Sequence, residues 1–272
     1  MGANGSKATS AGPTPTQFHV IKNAVEVHTR SGWEPTKLTR RDGQVIKGES
    51  LSVPDYTNHK ALRVTSDIDA PLSTVVGLLT DISTVNQYDP DADRYEKLPP
   101  LTDAVAKCDS GSEERLCSRI RLVLKPFSKL LNSRDFCCFF ADSYVPVGAV
   151  VDDSTKFACS DNDVRIKEMV MDTLPDHPTA YYVSNLSDAA TTSDVPKGFV
   201  RGTCHLYSFI AVPGLDDTVT RLSCIMCFDA NGVIPNSVLD GAFPQLDHMM
   251  QNIEKLCVER KAGSSGKATN KL

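Results

Sequence analysis

Residue types that carry out catalysis are thinly spread in this chain. Its histidines, at 19, 28, 59, 177, 205 and 248, follow no metal-ligand or base spacing. There is no G-x-G-x-x-G, P-loop, H-E-x-x-H or G-x-S-x-G. Cys224 and Cys227 form a C-x-x-C inside a strand pattern, where the odd separation sends the thiols to opposite faces and away from any shared metal. Cys137 and Cys138 diverge in the same way. The nine cysteines, an odd number without framework spacing, read as reduced and mostly buried, which predicts a cytoplasmic protein. Asp89, Asp91 and Asp93 open like a calcium loop, but Arg94 and Pro100 stand where an EF-hand needs Gly and Glu, so they read as a solvated acidic turn. His205, mid-strand, is the histidine expected to face an interior, where a lone His is more often a hydrogen-bonded core residue than a base. The sequence therefore predicts binding rather than catalysis, with no metal and no cofactor.

Two further stretches carry chemistry of another kind. Met1-Gly2-Ala3-Asn4-Gly5-Ser6 fits the M-G-x-x-x-S/T pattern and makes Gly2 a candidate for N-myristoylation; the alternative is a chance glycine in a floppy tail. One myristoyl chain gives only marginal, reversible membrane binding. In Lys125–Asn132, the apolar Phe127, Leu130 and Leu131 lie among Lys125 and Lys129. That composition suits a loop tip contacting an anionic bilayer; the alternative is packing onto the core. The expectation is a cytoplasmic protein making peripheral, reversible membrane contact. A net charge of −5 argues against a nucleic-acid partner. No run approaches the ~18 apolar residues of a membrane helix, and MGANGSKATSAG has no apolar core for a secretory signal.

The elements that must position these residues follow from periodicity. Residues 1–16, rich in Gly, Ser, Ala, Thr and Pro, form a disordered tail; 17–260 form the folded domain; 261–272 form a disordered polar tail. Phe18, Ile21 and Val25 mark a first helix. Asp42-Gly43 signals a hairpin, and from Lys60 the alternation of Leu62, Val64, Ser66 and Ile68 marks a half-buried strand. Pro71 starts a helix through Val75, Val76, Leu78, Leu79 and Ile82, and a short helix or turn follows to Tyr88-Asp89-Pro90. Further strands are expected at 104–109, 115–124, 136–145, 147–151, 164–172 and 179–186. Phe199 to Val212 reads as one long strand, followed by a turn and a second strand from Thr218 to Asp229. A final helix from Pro235 to about Arg260 carries an apolar face through Leu239, Phe243, Leu246, Met249, Met250, Ile253 and Cys257, with a kink expected at Pro244. The class is α+β: long antiparallel strands and a closing helix, suggesting a curved sheet wrapped around something.

This order, and the motifs within it, resemble the START family, the steroidogenic-acute-regulatory-protein-related lipid-transfer domains. Five pieces carry the resemblance over roughly residues 20 to 260. They are Ala70-Pro71 with the helix to Leu79-Thr80-Asp81, then Tyr88-Asp89 in place of a Trp-Asp, and Ser133-Arg134-Asp135-Phe136. Gly198-Phe199-Val200-Arg201 and the Asp229–Pro235 turn into the last helix complete the series. The resemblance implies a helix-grip fold, a curved antiparallel sheet wrapped around the C-terminal helix with one lipid between them. It also implies a lid made of that helix and of loop 125–132. Transferred here, Leu122, Phe136, Phe140, Met226, Leu239, Phe243, Leu246 and Met250 become lipid contacts, with His205 beside them. Arg201 is the first candidate for a headgroup phosphate or hydroxyl, a surface salt bridge being the other reading. Val85 replaces an Arg of phospholipid-binding members, and Arg121 and Phe140 stand where sterol-binding members carry an acid–Arg pair, so the lipid is left unnamed. A monomer is expected that binds, and in one reading transfers, a phospholipid, sterol or sphingolipid. The alternatives are a hydrolase or cyclase on the same scaffold and a regulatory adaptor whose interior is filled by its own side chains.

Overall fold

The structure is a computed structural model. It describes residues 17–39, 45–54, 60–99, 117–126, 132–146, 179–187, 195–214, 216, 218–231 and 242–268. The helices are α1 (Gln17–Thr29), α2 (Leu72–Leu79), α3 (Val85–Tyr88) and α4 (Ala242–Ala268), with a 3-10 turn at Ile82–Thr84. The strands are β1 (Glu34–Thr39), β2 (Val45–Ser52), β3 (Lys60–Ile68), β4 (Ala92–Lys97) and β5 (Ser118–Leu124). They continue with β6 (Ser133–Pro146), β7 (Thr179–Ser187), β8 (Phe199–Arg201), β9 (Thr203–Pro213) and β10 (Thr220–Asp229). All join one ten-stranded sheet in the order β1-β2-β3-β10-β9-β7-β6-β5-β4, with β8 beside β6. Pairing is antiparallel throughout except for β8, which runs parallel to β6.

The two faces of this sheet carry separate cores. α1 packs on β6, β7 and β9 through Val20, Ile21, Ala24, Val25 and Val27, against Phe139, Tyr182, Leu206 and Ile210. α4, with α2 and α3, covers the opposite face through Leu246, Met249, Met250, Ile253 and Cys257. Each large apolar side chain fully buried this way contributes about 1.5–3 kcal/mol. This is the α+β helix-grip, a curved antiparallel sheet closed by a long C-terminal helix. The cysteines divide as the spacing requires: Cys138 and Cys224 belong to the α4-facing core and Cys227 to the α1-facing one. The free cysteines Cys117, Cys137, Cys138, Cys204, Cys224, Cys227 and Cys257 are all buried.

Local chemistry explains several boundaries. Pro71 sits at the N-cap of α2 with ψ 150°, and its carbonyl accepts from the N–H groups of Thr74 and Val75 at 3.0 and 3.2 Å. Asp81 opens the 3-10 turn by accepting from the Ser83 N–H at 3.1 Å. The expected Phe199–Val212 strand is broken in two at Gly202. A Cβ there would stand 2.1 Å from Cε1 of the fully buried Phe136, so the chain passes the ring only as glycine, donating to the Asp135 carbonyl at 2.9 Å. The final helix also differs from expectation. It is described from Ala242, so the start expected at Pro235 and the Asp240 carbonyl on which a kink at Pro244 depends lie outside the described residues. At the other end it continues to Ala268, past the apolar periodicity, and Lys261 there pairs with Asp69 at 3.0 Å. Asp42-Gly43 and the strands expected at 104–109, 147–151 and 164–172 lie outside the described residues, as do Gly2, Phe127, Leu130, Leu131 and Leu239. So does the side chain of Phe243.

Candidate functional site

Alternation along the strands decides which side chains face α4. On β6 the even positions Phe136, Cys138, Phe140 and Tyr144 join the α4-facing core, whereas Phe139, Ala141 and Val145 join the other. Strand register then carries the inner face across the sheet: Phe140 opposes Asn185, Asn185 opposes Tyr207, Tyr207 opposes Met226, and Met226 opposes Leu62. Leu122 lies opposite Phe136 on the β5 side. Leu122, Phe136, Phe140, Met226, Leu246 and Met250 are therefore gathered on one face, between the sheet and α4. Aromatic rings line its centre, with Phe136 and Phe228 centroids 4.9 Å apart and Tyr207 5.3 Å from Phe209.

One of the expected ligand contacts stands elsewhere. Arg201 pairs with Asp135 in the parallel β8–β6 register, and its Nε and Nη2 each donate to one Asp135 oxygen at 2.9 Å. Asp135 is an odd position on β6, with no exposed surface, on the face turned away from α4. Arg121 adds a second guanidinium at 3.5 Å from Asp135 and reaches Glu96 at 3.7 Å. Arg201 is thus held in an ion-pair network on the outer face, and the headgroup reading is replaced by a salt bridge to a buried partner. His205 falls at a bulge: β9 pairs Leu206 with Cys227 and Cys204 with Phe228, leaving His205 unopposed. It is half-buried, and its carbonyl accepts from Asn23 Nδ2 of α1 at 3.3 Å.

The acidic turn is solvated at Asp93 but not at Asp89. Asp89 is 8% exposed, and Oδ1 accepts the N–H groups of Asp91 and Ala92 at 3.0 and 3.2 Å. Oδ2 accepts from the Tyr207 hydroxyl at 3.4 Å, which also contacts Met249 Sδ at 3.2 Å. Burial raises the Asp89 carboxyl to about 6, against the lowering effect of its hydrogen bonds. The same turn is tied to α4 by Asn252 Nδ2 to the Tyr88 carbonyl at 3.1 Å and Gln245 Nε2 to Asp91 Oδ1 at 3.3 Å. Tyr88 is buried edge-on to Phe209, the same place in the fold that the Tyr88-Asp89 motif marks in the sequence.

The inner face also carries polar groups that composition does not reveal. Tyr95, opposite Leu122, is half-buried, and its hydroxyl makes no hydrogen bond among the described residues. Desolvation nonetheless pushes its phenol well above the ordinary value. Asp142 follows Phe140 on the same face and accepts from the Tyr181 hydroxyl, itself in edge contact with Tyr144 at 4.5 Å. Asn185, 5% exposed, donates through Nδ2 to the Tyr207 carbonyl at 3.3 Å, while its Oδ1 has no partner among the described residues. The signal for these residues was present in the sequence: Asp142 is in phase with Phe136 and Phe140, and Asn185 with Tyr181 and Val183. Among the described residues no cluster of His, Cys, Asp and Glu is placed to hold a metal, and no helix is long and apolar enough to cross a membrane.

No protein-family model matches the sequence, and no curated protein matches it. Solved structures do match. Human StAR-related lipid transfer protein 5 superposes with a TM-score of 0.60 at 14% identity, covering 90% of this chain and 96% of that one. Human STARD10 gives 0.60 at 14% identity, covering 95% and 86%. The lipid transfer and protein localization domain of human StarD13 (DLC2) gives 0.54 at 16%, covering 88% and 96%. With the sheet order and the C-terminal helix described above, these similarities establish that the chain has a START-like fold.

Proposed function

We propose that the chain binds one lipid between the inner face of the sheet and α4, and releases it by movement of that helix, without catalysing a reaction. The observation that carries this is the state of the inner-face side chains. Tyr95, Phe140, Tyr144, Met226 and Phe228 point into the layer beneath α4, yet each keeps part of its surface accessible. Tyr95 is the sharpest case: it retains accessible surface while its phenol is strongly desolvated, as expected of a group facing an interior space rather than bulk water. An apolar space of this kind gains about 0.8 kcal/mol for each methylene it takes from water, or ~12 kcal/mol for a sixteen-carbon chain. The buried acid whose pKa is raised most clearly, Asp89, has both oxygens occupied by backbone N–H groups and Tyr207, a structural use rather than that of a general acid.

The structural neighbours named for lipid transfer support the same reading by their fold. Peripheral membrane contact through Phe127, Leu130 and Leu131, acylation at Gly2 and a monomeric cytoplasmic state complete the proposal. The deciding experiment is native mass spectrometry of the purified chain. The expected result is a bound species of lipid mass, released on collisional activation, together with transfer of that lipid between vesicles. Protein that carries no lipid after purification and takes none up from vesicles would refute the proposal.

A further inference from the structure

The inner face contains a polar position whose chemistry is one-sided. Asn185 lies on β7 between Phe140 of β6 and Tyr207 of β9, in the row that faces α4. Its amide orientation is fixed by its neighbour: the group facing the Tyr207 carbonyl at 3.3 Å has to be the NH2, since a carbonyl only accepts. That leaves Oδ1, buried and without a partner among the described residues, as an unused acceptor. An orphaned buried acceptor is costly, typically about 1–3 kcal/mol, and a native fold retains one where something outside the chain completes it. Asp142, two residues beyond Phe140 on the same face, is a diagonal neighbour of Asn185, about 7 Å away in an antiparallel sheet. It is half-buried and receives the Tyr181 hydroxyl, and its other lone pairs remain open. Two cations close to the α4-facing layer, among the described residues, are committed elsewhere. Arg134 donates to the carbonyls of Ala230, Asn231 and Asn132, and Lys125 donates to the Pro90 carbonyl. Asn185 and Asp142 thus offer acceptors and a negative charge, with no guanidinium or ammonium of the described residues bonded to either.

We propose that Asn185 and Asp142 form the headgroup subsite of the interior, and that it selects a lipid whose buried polar end donates hydrogen bonds, a hydroxyl or amine head, and excludes an anionic one. The inference rests on the lipid-binding reading and adds the class of lipid. A hydroxyl or ammonium would donate to Asn185 Oδ1 and to the Asp142 carboxylate, satisfying the orphan. A phosphate monoester would bring acceptors and negative charge to acceptors and negative charge. Discrimination is strong at such positions because the analogue lacking the donor leaves a buried group unpaired.

The test uses the full chain and lipids with identical dioleoyl chains: diacylglycerol, its 3-O-methyl ether and phosphatidic acid, with sphingosine as the amine-headed probe. Uptake from neutral vesicles is measured for each. Diacylglycerol and sphingosine should be taken up at least tenfold more tightly than the ether or phosphatidic acid. Asn185→Leu should bring diacylglycerol and its ether within about threefold of each other. Asp142→Asn, which keeps an oxygen for Tyr181, should weaken sphingosine more than diacylglycerol and serves if the Asn185 variant does not fold. Equal uptake of all four lipids by the wild-type chain, or preference for phosphatidic acid, overturns the subsite while leaving lipid binding standing. Uptake of no lipid overturns both.

Discussion

The reassignment of Arg201 makes a quantitative prediction. Asp135 has no exposed surface, and Arg201 supplies its two closest charge-assisted hydrogen bonds, both at 2.9 Å. Arg201→Ala leaves a buried carboxylate facing only Arg121, at 3.5 Å. Breaking a buried pair from one side costs about 3–5 kcal/mol. The Arg201 side chain is 23% exposed and Arg121 remains, so the low end, about 3 kcal/mol, is expected. With a urea slope of about 3 kcal/mol/M, the midpoint should fall by about 1 M. Asp135→Ala should cost less than Arg201→Ala, because a half-buried guanidinium freed of its partner can turn to water while a buried carboxylate has nowhere to go. In the double mutant the two losses should overlap, leaving a coupling energy of about 2 kcal/mol. Lipid uptake per folded molecule should be unchanged in all three. An Arg201→Ala protein that melts like wild type but no longer takes up lipid would refute this and return Arg201 to the ligand.

Other outcomes follow from the same contacts. Gly202→Ala drives a methyl into the Phe136 ring and should cost about 1–3 kcal/mol in urea denaturation, with part of the loss recovered by Phe136→Leu in the double mutant. Asp89, raised from 3.8 to about 6 by burial, binds its proton more tightly folded than unfolded, so its contribution to stability falls as pH rises from about 4 to 6. The full penalty at pH 7 is about 3 kcal/mol, and Asp89→Asn should gain stability relative to wild type between pH 5 and pH 7; parallel pH profiles of the two proteins would refute this. Asp91, also raised chiefly by burial, acts in the same direction and remains in the variant. Asn252→Ala with Gln245→Ala removes the polar ties of α4 to the Tyr88–Asp91 turn; stability should fall by only about 1 kcal/mol per bond while lipid exchange between vesicles accelerates, and unchanged exchange would mean that α4 is not the moving element. Tyr207→Phe should cost about 1–3 kcal/mol by stripping a partner from Asp89, measured by thermal melting.

The amino-acid sequence determined what is set within a few residues. Alternation put Leu62, Val64 and Ile68 on one face of β3, because successive strand side chains must point oppositely. Pro71 fixed the start of α2, because its φ and missing N–H suit the N-terminal end of a helix and not its interior. The odd spacing of Cys224 and Cys227 separated their thiols without reference to anything else in the chain. Tertiary structure decided what depends on partners far along the chain. The fate of Arg201 turns on Asp135, 66 residues away, and on a parallel pairing with β6 that no local pattern encodes. The break at Gly202 exists because the Phe136 ring occupies the space where a side chain would go. At His205 a bulge between β9 and β10 interrupts the alternation from which a strand face is counted, and no local pattern announces it. Asp89 reads as a surface acid because its neighbours in sequence are polar, and it is buried because Tyr207 and α4 close over it from 118 residues and more away. Burial and charge pairing are properties of what surrounds a side chain in space, and most of that surrounding is contributed by segments the local sequence does not contain.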